Sequence, residues 1–273
     1  MSEVGFICPA LGNVTYAACF NCDHEMCGLP LPYRMAAAND RETEADTYHV
    51  TEILKPARQA YLERHNDYYS DPFKKVWATF GTAWHSIPEK YAEGNPRFLQ
   101  EVGFKALVGD VYLSGRCDLI DLKRKSMQDW KTTTVFKATE LMGGDFAGTY
   151  WVEQQNIYRV FIAPWVEKLE VVALFRDWGP RYAEKCGPVE VINIPIMKED
   201  DVIDMVMEKL TAITDIDLFG IQNDLPNCPV EDCWEGWDKK ENRKVRRKCR
   251  DYCGAGGDSG ICTQYSEWKD GLP

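Results

Sequence analysis

Nowhere in this 273-residue chain does an apolar stretch approach the roughly 18–20 residues that a helix needs to span a bilayer, so no membrane role is expected. The start, Met1–Ile7, lacks the basic residues and apolar core of a secretory signal, which points to a cytosolic protein. Internal repeats and low-complexity segments are missing as well. So is any excess of positive charge. The formal balance of −11 argues against a protein that coats duplex DNA without specificity. That average still leaves room for a strand held in one basic groove. Lys123-Arg124-Lys125, Lys131, Lys137 and the run Lys239, Lys240, Arg243, Lys244, Arg246, Arg247, Lys248, Arg250 are local basic patches, although most such runs are solvated faces.

What the chain does hold is apolar material, 45% of its residues, enough to bury the core of one or two domains. It also holds eleven cysteines, and without a secretory segment these point to metal ligation over disulfides. Cys8, Cys19, Cys22 and Cys27 cluster at one end, and Cys228, Cys233, Cys249, Cys253 and Cys262 at the other. Cys117 and Cys186 lie between and read as small buried side chains. The first group contains a C-x2-C knuckle flanked by two more thiols, the donor set of a structural tetrahedral Zn²⁺. So short a polar segment has little apolar material with which to bury four free thiols. His24 lies inside the knuckle and could replace one cysteine.

The first thirty-three residues, rich in Cys, Gly and Pro, are expected to be loop-like, and residues 1–38 form a zinc-knuckle module. Asn39–Thr47 is a polar link. Thr51–His65 and Asp71–Tyr91 read as helices, with Asp71 as N-cap and Pro72 at the first helical position. Gln100–Val108, Val111–Asp121 and Met127–Thr132 read as strands, with turns at Gly109-Asp110 and Lys123–Ser126. Tyr150–Ile162 has helical periodicity, Leu169–Arg176 and Val189–Ile194 read as strands, and Lys198–Ile213 as an amphipathic helix. This order predicts an α/β core over 39–224 with a mixed central sheet, followed by a cysteine-rich tail over 225–273.

Residues two apart on a strand face the same way, so Asp129 and Lys131 of Asp129-Trp130-Lys131 point at one spot. Asp118 can sit opposite them if the strands are neighbours. Two carboxylates and an ammonium converging there can hold a hard divalent cation and orient a water beside a phosphate, the chemistry of a metal-dependent nuclease. Asp-x-Lys alone is weak, because many ordinary strands carry one on a wet face. Gly81-Thr82-Ala83-Trp84-His85 upstream and Gln154 and Tyr158 downstream, one helical turn apart, give it company. Taken singly, a histidine on a helix is more often structural, and a Gln and Tyr so spaced are usually surface and core. Glu89, a turn past His85, could support the site, whereas Glu101 and Asp110 read as solvated.

The ordered set Gly-x-x-x-His, Gly-x-x-Asp, Asp-x-Lys and Gln-x-x-x-Tyr resembles the RecB-like branch of the PD-(D/E)xK nuclease superfamily. That branch includes AddB-type and CRISPR-associated iron–sulfur exonucleases and phage-encoded relatives, and the resemblance covers roughly Tyr48 to Tyr265. It implies a restriction-endonuclease-like core of mixed sheet flanked by helices. His85, Asp118 and Asp129, joined by the Trp130 carbonyl, would bind Mg²⁺ or Mn²⁺. Lys131 would position the attacking water or offset negative charge growing in the transition state, and Gln154 and Tyr158 would orient the DNA backbone and the Lys131 neighbourhood. The resemblance also implies a [4Fe–4S] cluster on Cys249, Cys253, Cys262 and a fourth thiolate, which staples the tail to the core. In the best-known members that fourth ligand lies upstream of the His motif. Here the upstream cysteines form a quartet of their own, so Cys228 is assigned, with Cys233 the runner-up and zinc the alternative metal.

The implied function is a deoxyribonuclease, an exonuclease on single-stranded or frayed ends in repair, recombination or phage DNA processing. It would work in the cytoplasm (of the host, if phage-encoded), with a helicase, recombination or integration partner unspecified. Two other classes stay open: a non-catalytic DNA-binding adaptor on a nuclease scaffold, and a metal- or redox-sensing protein.

Overall fold

The computed structural model describes residues 3–23, 27–38, 44–146, 149–219, 225–239, 242–257 and 259–271, with backbone alone for 216–219. Its elements begin with β1 (Glu3–Cys8), β2 (Gly12–Thr15), α1 (Tyr16–Phe20), α2 (Leu31–Ala37), β3 (Thr47–His49), α3 (Val50–Ile53), α4 (Ala57–His65), β4 (Tyr68–Ser70) and α5 (Val76–Ala92). They continue with β5 (Phe98–Val108), β6 (Val111–Asp121), β7 (Ser126–Thr133), α6 (Val135–Met142), α7 (Trp151–Ile162), β8 (Lys168–Phe175), β9 (Val189–Ile194) and α8 (Glu199–Phe219). Last come β10 (Glu235–Asp238), β11 (Arg243–Arg246), α9 (Arg247–Asp251) and α10 (Thr263–Asp270).

The chain forms two compact units. A cysteine-rich unit comprises Met1–Glu44, Lys55–Thr79 and Leu210–Pro273, and a sheet unit comprises Ala45–Leu54 and Phe80–Lys209. Both cysteine-rich ends therefore belong to one unit, where the sequence reading divides the chain at 38 and 224.

The sheet unit is a mixed α/β structure. Its six strands run β3-β6-β7-β8-β9, with β5 also paired to β6. β3 runs parallel to β6 and β7 parallel to β8, while the β5–β6, β6–β7 and β8–β9 pairs are antiparallel. Helices α6 and α7 pack on the strands. The core includes Leu113, Met127, Ile157, Val171 and Ala173, all fully buried. Gly109 (φ +62) and Lys125 (φ +49) take the left-handed conformation that the two tight connections require. Buried Asp121 closes the second connection by accepting from the backbone N–H groups of Lys123 (3.0 Å) and Arg124 (3.1 Å) and from the Arg97 guanidinium. The Arg97 hydrogen bonds hold its carboxyl below the usual range. Buried Glu170 is satisfied likewise, by Arg124 and by Gln128 Nε2 at 3.0 Å.

The cysteine-rich unit corrects the loop-like expectation for the first thirty-three residues. β1 pairs antiparallel with β2 and parallel with β4, and Phe6 is buried. Gly5 makes the β2 approach possible, because a Cβ there would lie 1.9 Å from the Val14 carbonyl oxygen. Buried Glu3 accepts from Tyr16 Oη at 2.6 Å and pairs with Lys75 at 2.5 Å. The tail is likewise structured, with a β10–β11 hairpin.

Two helices also differ from expectation. The single helix over Thr51–His65 is two, α3 and α4, because Pro56 disfavours helical backbone at Lys55 and has no N–H to continue the ladder. Asp71 does not cap α5. Its side chain accepts from Phe73 N at 2.9 Å in a separate turn, and the helix starts at Val76. α4 is tied to the end of the chain: Arg58 donates to the carbonyls of Leu225 and Pro226, and Glu63 accepts from Gly254 N at 2.8 Å.

Candidate active site and thiol cavities

The β6–β7 ladder pairs Leu119 with Gln128, and continuing that register sets Asp118 opposite Asp129 where the two strands diverge. Asp118 bridges the gap, its Oδ2 accepting from Trp130 N at 2.7 Å. The same oxygen lies 2.9 Å from His85 Nδ1, carried in by α5. Gly81, one turn before His85, leaves room beside β7, since a Cβ there would lie 3.9 Å from Thr132 Oγ1. Lys131 Nζ lies 2.9 Å from Asp129 Oδ2. On α7, Gln154 Nε2 donates to Tyr158 Oη at 3.1 Å, and both residues are buried. Tyr158 lies close against Gly115 of β6: a Cβ on Gly115 would come within 2.7 Å of its ring. Thus His85, Asp118, Asp129, Lys131 and Tyr158 meet in the sheet unit, with Gln154 holding the tyrosine.

The electrostatics follow from burial. Burial pushes the Asp129 carboxyl up, Lys131 opposes it, and the nearby Asp118 charge adds to it. Burial favours neutral Lys131, but the charges of Asp129 and Asp118 outweigh it and raise the ammonium. His85 behaves the same way: burial favours the neutral ring, yet the Asp118 hydrogen bond and charge carry its pKa above 6.5. Burial also raises Tyr158.

Sequence reasoning missed Glu101. It is half-buried, paired with Arg116 Nε at 2.5 Å, and adopts φ +48. Burial raises its carboxyl first, Arg116 opposes, and the charges of Asp118 and Glu89 add. It therefore belongs to the site's surroundings, whereas Asp110 is exposed as expected and Glu89 is also exposed. Trp84 was also overlooked. It packs on Trp130 with centroids 5.2 Å apart, and among the described residues neither buried indole N–H has a hydrogen-bond partner.

The described cysteines are free thiols. Cys8, Cys19, Cys22 and Cys27 line one cavity of about 430 Å³, together with buried Arg34, whose Nη1 lies 3.7 Å from Cys19 Sγ. His24 lies outside the described residues. Cys228, Cys233, Cys249, Cys253 and Cys262 line a second cavity of about 420 Å³, with Arg58, Arg246 and Lys248 on its wall. Cys233 and Cys249 are in direct hydrogen-bonding contact, which lowers Cys233 to about 7 and raises Cys249. Burial pushes Cys228 up to about 11 and Cys253 up to about 12. Cys117 is buried and likewise raised to about 12, and Cys186 is buried, as expected of structural thiols. Among the described residues, no three His, Cys, Asp or Glu side chains are already closed into a metal-holding group. No helix among them is long and apolar enough to cross a membrane.

No family model and no curated protein matches the chain. Among solved structures it is similar to the crystal structure of SSO0001, at 18% identity and a TM-score of 0.49 over 83% of this chain and 90% of that one. Likeness at that level assigns neither a family nor an activity.

Proposed function

We propose that the chain is a divalent-metal-dependent DNA nuclease of the RecB-like PD-(D/E)xK kind. In this reading it is an exonuclease acting in the cytoplasm on single-stranded or frayed ends during repair, recombination or phage DNA processing. The supporting observation is the convergence of His85, Asp118 and Asp129 with Lys131 at the divergence of β6 and β7. The donor set suits Mg²⁺ or Mn²⁺, two carboxylates and one imidazole. Asp129 Oδ2 also fits a bound cation: it is buried, with the Lys131 ammonium 2.9 Å away. When bound, the ion polarises the scissile phosphate and acidifies water. Asp118 orders the Trp130 backbone, whose carbonyl would complete the ligand set. Lys131 sets an ammonium where negative charge grows in the transition state. Tyr158, fixed by Gln154, keeps Lys131 and the DNA backbone in register.

The N-terminal quartet fits Zn²⁺, with four thiols on one cavity and Arg34 offsetting thiolate charge. The C-terminal cavity fits either a [4Fe–4S] cluster on Cys228, Cys249, Cys253 and Cys262, or zinc. Zinc would take four of the same thiols, with Cys233 the runner-up to Cys228 as the fourth ligand. Iron, sulfide and zinc analysis after anaerobic purification decides between them.

Digestion of end-labelled linear and circular single-stranded DNA with Mn²⁺ tests the activity. Asp129→Ala and Lys131→Ala are expected to lose cleavage on the order of 10³-fold with the fold retained. Wild-type cleavage by Asp129→Ala would remove that residue from the mechanism. Degraded linear strands beside intact circles support end-dependent action.

A further inference from the structure

The tail hairpin and α9 carry exposed aromatic rings that neither the proposed active site nor the thiol cavities use. Residues 234–253 hold eight Lys or Arg against four Asp or Glu, in a chain whose overall balance is −11. Three large rings in this segment face solvent: Trp234 is 45% exposed, Trp237 56% and Tyr252 60%.

Register explains the exposure. Gly236 pairs with Val245, which is 3% exposed, so that face of the hairpin packs inward. The opposite face presents exposed Trp237 beside its exposed partner Lys244, which lies 3.5 Å from Glu235, while Arg246, next along, turns into the wall of the thiol cavity. Where the hairpin meets α9, Trp234 (φ +53) meets Tyr252 edge-on with centroids 5.5 Å apart, and Lys248 Nζ lies 6.0 Å from the Trp234 ring. Singly scattered apolar residues need no explanation. Three rings interleaved with cations on one small element are a different pattern, because each ring offers a face to a base while the cations meet phosphates.

We propose that the β10–β11 hairpin with the start of α9 is a platform for single-stranded nucleic acid, on which unpaired bases stack against Trp237, Trp234 and Tyr252. Bases already stacked in a duplex cannot use the rings, and an acidic polypeptide would need only the cations. The choice of DNA rests on the nuclease reading. The platform itself rests on the hairpin. Cys233 immediately precedes Trp234, Cys249 lies among the α9 cations and Cys253 follows them, so the platform and the thiol cavity are built on the same short segments.

The test uses the full chain carrying Asp129→Ala, without added Mg²⁺ or Mn²⁺, and fluorescence anisotropy of end-labelled oligo(dT), oligo(U) and a duplex. Trp237→Ala and Tyr252→Ala should each weaken oligo(dT) binding roughly tenfold, with Trp237→Phe restoring most of it. Lys244→Gln and Arg247→Gln, both at exposed cations outside the thiol cavity, should each flatten the log–log salt dependence by about 0.7. Tryptophan emission should be quenched on binding, and circular dichroism and metal content should be unchanged. Wild-type affinity and salt slope in all four variants would overturn the proposal, as would equal binding of the duplex or full competition by polyglutamate. Tighter oligo(U) than oligo(dT) binding would retain the platform and move its natural strand to RNA. Cleavage separates the two readings. If Asp129→Ala abolishes cleavage but the ring variants bind normally, only the platform fails. If the ring variants lose binding while the wild-type chain cuts no DNA with Mn²⁺, only the nuclease assignment fails.

Discussion

The sheet unit and the cysteine-rich unit both pair their buried ions, as Glu3 with Lys75 in the second, but differ in strand length and in what fills their cores. In the sheet unit, strands of up to eleven residues surround an apolar core, and its ionic groups come with built-in partners: Asp121 with Arg97, Glu170 with Arg124, Asp118 with His85. The cysteine-rich unit has no described strand longer than the six residues of β1. Its tail packs around Tyr61, Leu62, Leu225, Ala255, Cys262 and Tyr265, so a thiol is part of the apolar cluster itself. Four of those six are small or only moderate in bulk, which is little to hold a hairpin and two short helices. In the proposed reading the sheet needs no help, whereas the cysteine-rich unit would gain its stability from closure of its thiols around metal.

Metal removal should break this comparison most sharply. Treatment with a strong chelator, or Cys253→Ser, is expected to cost the cysteine-rich unit stability on the order of 10 kcal/mol. Hydrogen exchange would read this as lost amide protection in β10, β11 and α9, with β6, β7 and β8 still protected. Equal loss in both units would mean that the sheet shares the dependence.

The same contrast decides what was legible in the sequence. Val111–Asp121 and Val189–Ile194 are strands with the expected bounds, because β-branched residues and flanking turn signals mark both locally. The pairing of β1 with β4 was not legible, since β4 lies some sixty residues away and no local signal marks it, while the local β1–β2 hairpin is masked by the Cys, Gly and Pro content of the segment. Pro56 does mark the break between α3 and α4, and was passed over because the apolar spacing runs across it. At the site, ordered motifs pointed to His85, Asp118, Asp129, Lys131, Gln154 and Tyr158. Glu101 did not stand out because strand alternation makes it look wet. A signal was available: the turn at Gly109-Asp110 pairs Val108 with Val111, and counting back along that register sets Glu101 opposite Asp118. What the count does not show is the positive φ that takes Glu101 out of the ladder.

A gentler break lies inside the sheet unit. Gly115 has no room for a side chain, because a Cβ would lie 2.7 Å from Tyr158 Cε1, 2.8 Å from Val50 Cγ2 and 2.9 Å from Phe104 Cε1. Gly115→Ala should therefore cost about 1–3 kcal/mol in thermal or denaturant unfolding. It should also lower DNA cleavage by more than that loss explains, because Tyr158 is displaced from Lys131. Gly103→Ala is the control, since its Cβ would meet only the Gly115 carbonyl oxygen at an ordinary 3.5 Å. Equal behaviour of the two variants would show that Tyr158 can shift without consequence.

The smallest expected effect is on pH, and it sharpens the claim that the sheet site is poised before a cation binds. A proton on His85 Nδ1 and a divalent ion compete for the same nitrogen lone pair and the same Asp118 oxygen. Because Asp118 raises His85 above 6.5, that proton is held to higher pH than on a free imidazole. Mn²⁺ affinity measured by calorimetry should rise by about tenfold per pH unit below the His85 pKa and level off above it, with one proton released per ion. Without the ion, the linkage has the opposite sign. A raised folded-state pKa means that the His85–Asp118 pair stabilises fully below the unfolded value, and that this contribution is lost as pH rises through the folded one. His85→Gln should abolish both slopes. A variant that kept the metal-affinity slope would place the competing proton on another group, with the raised Asp129 carboxyl the next to test.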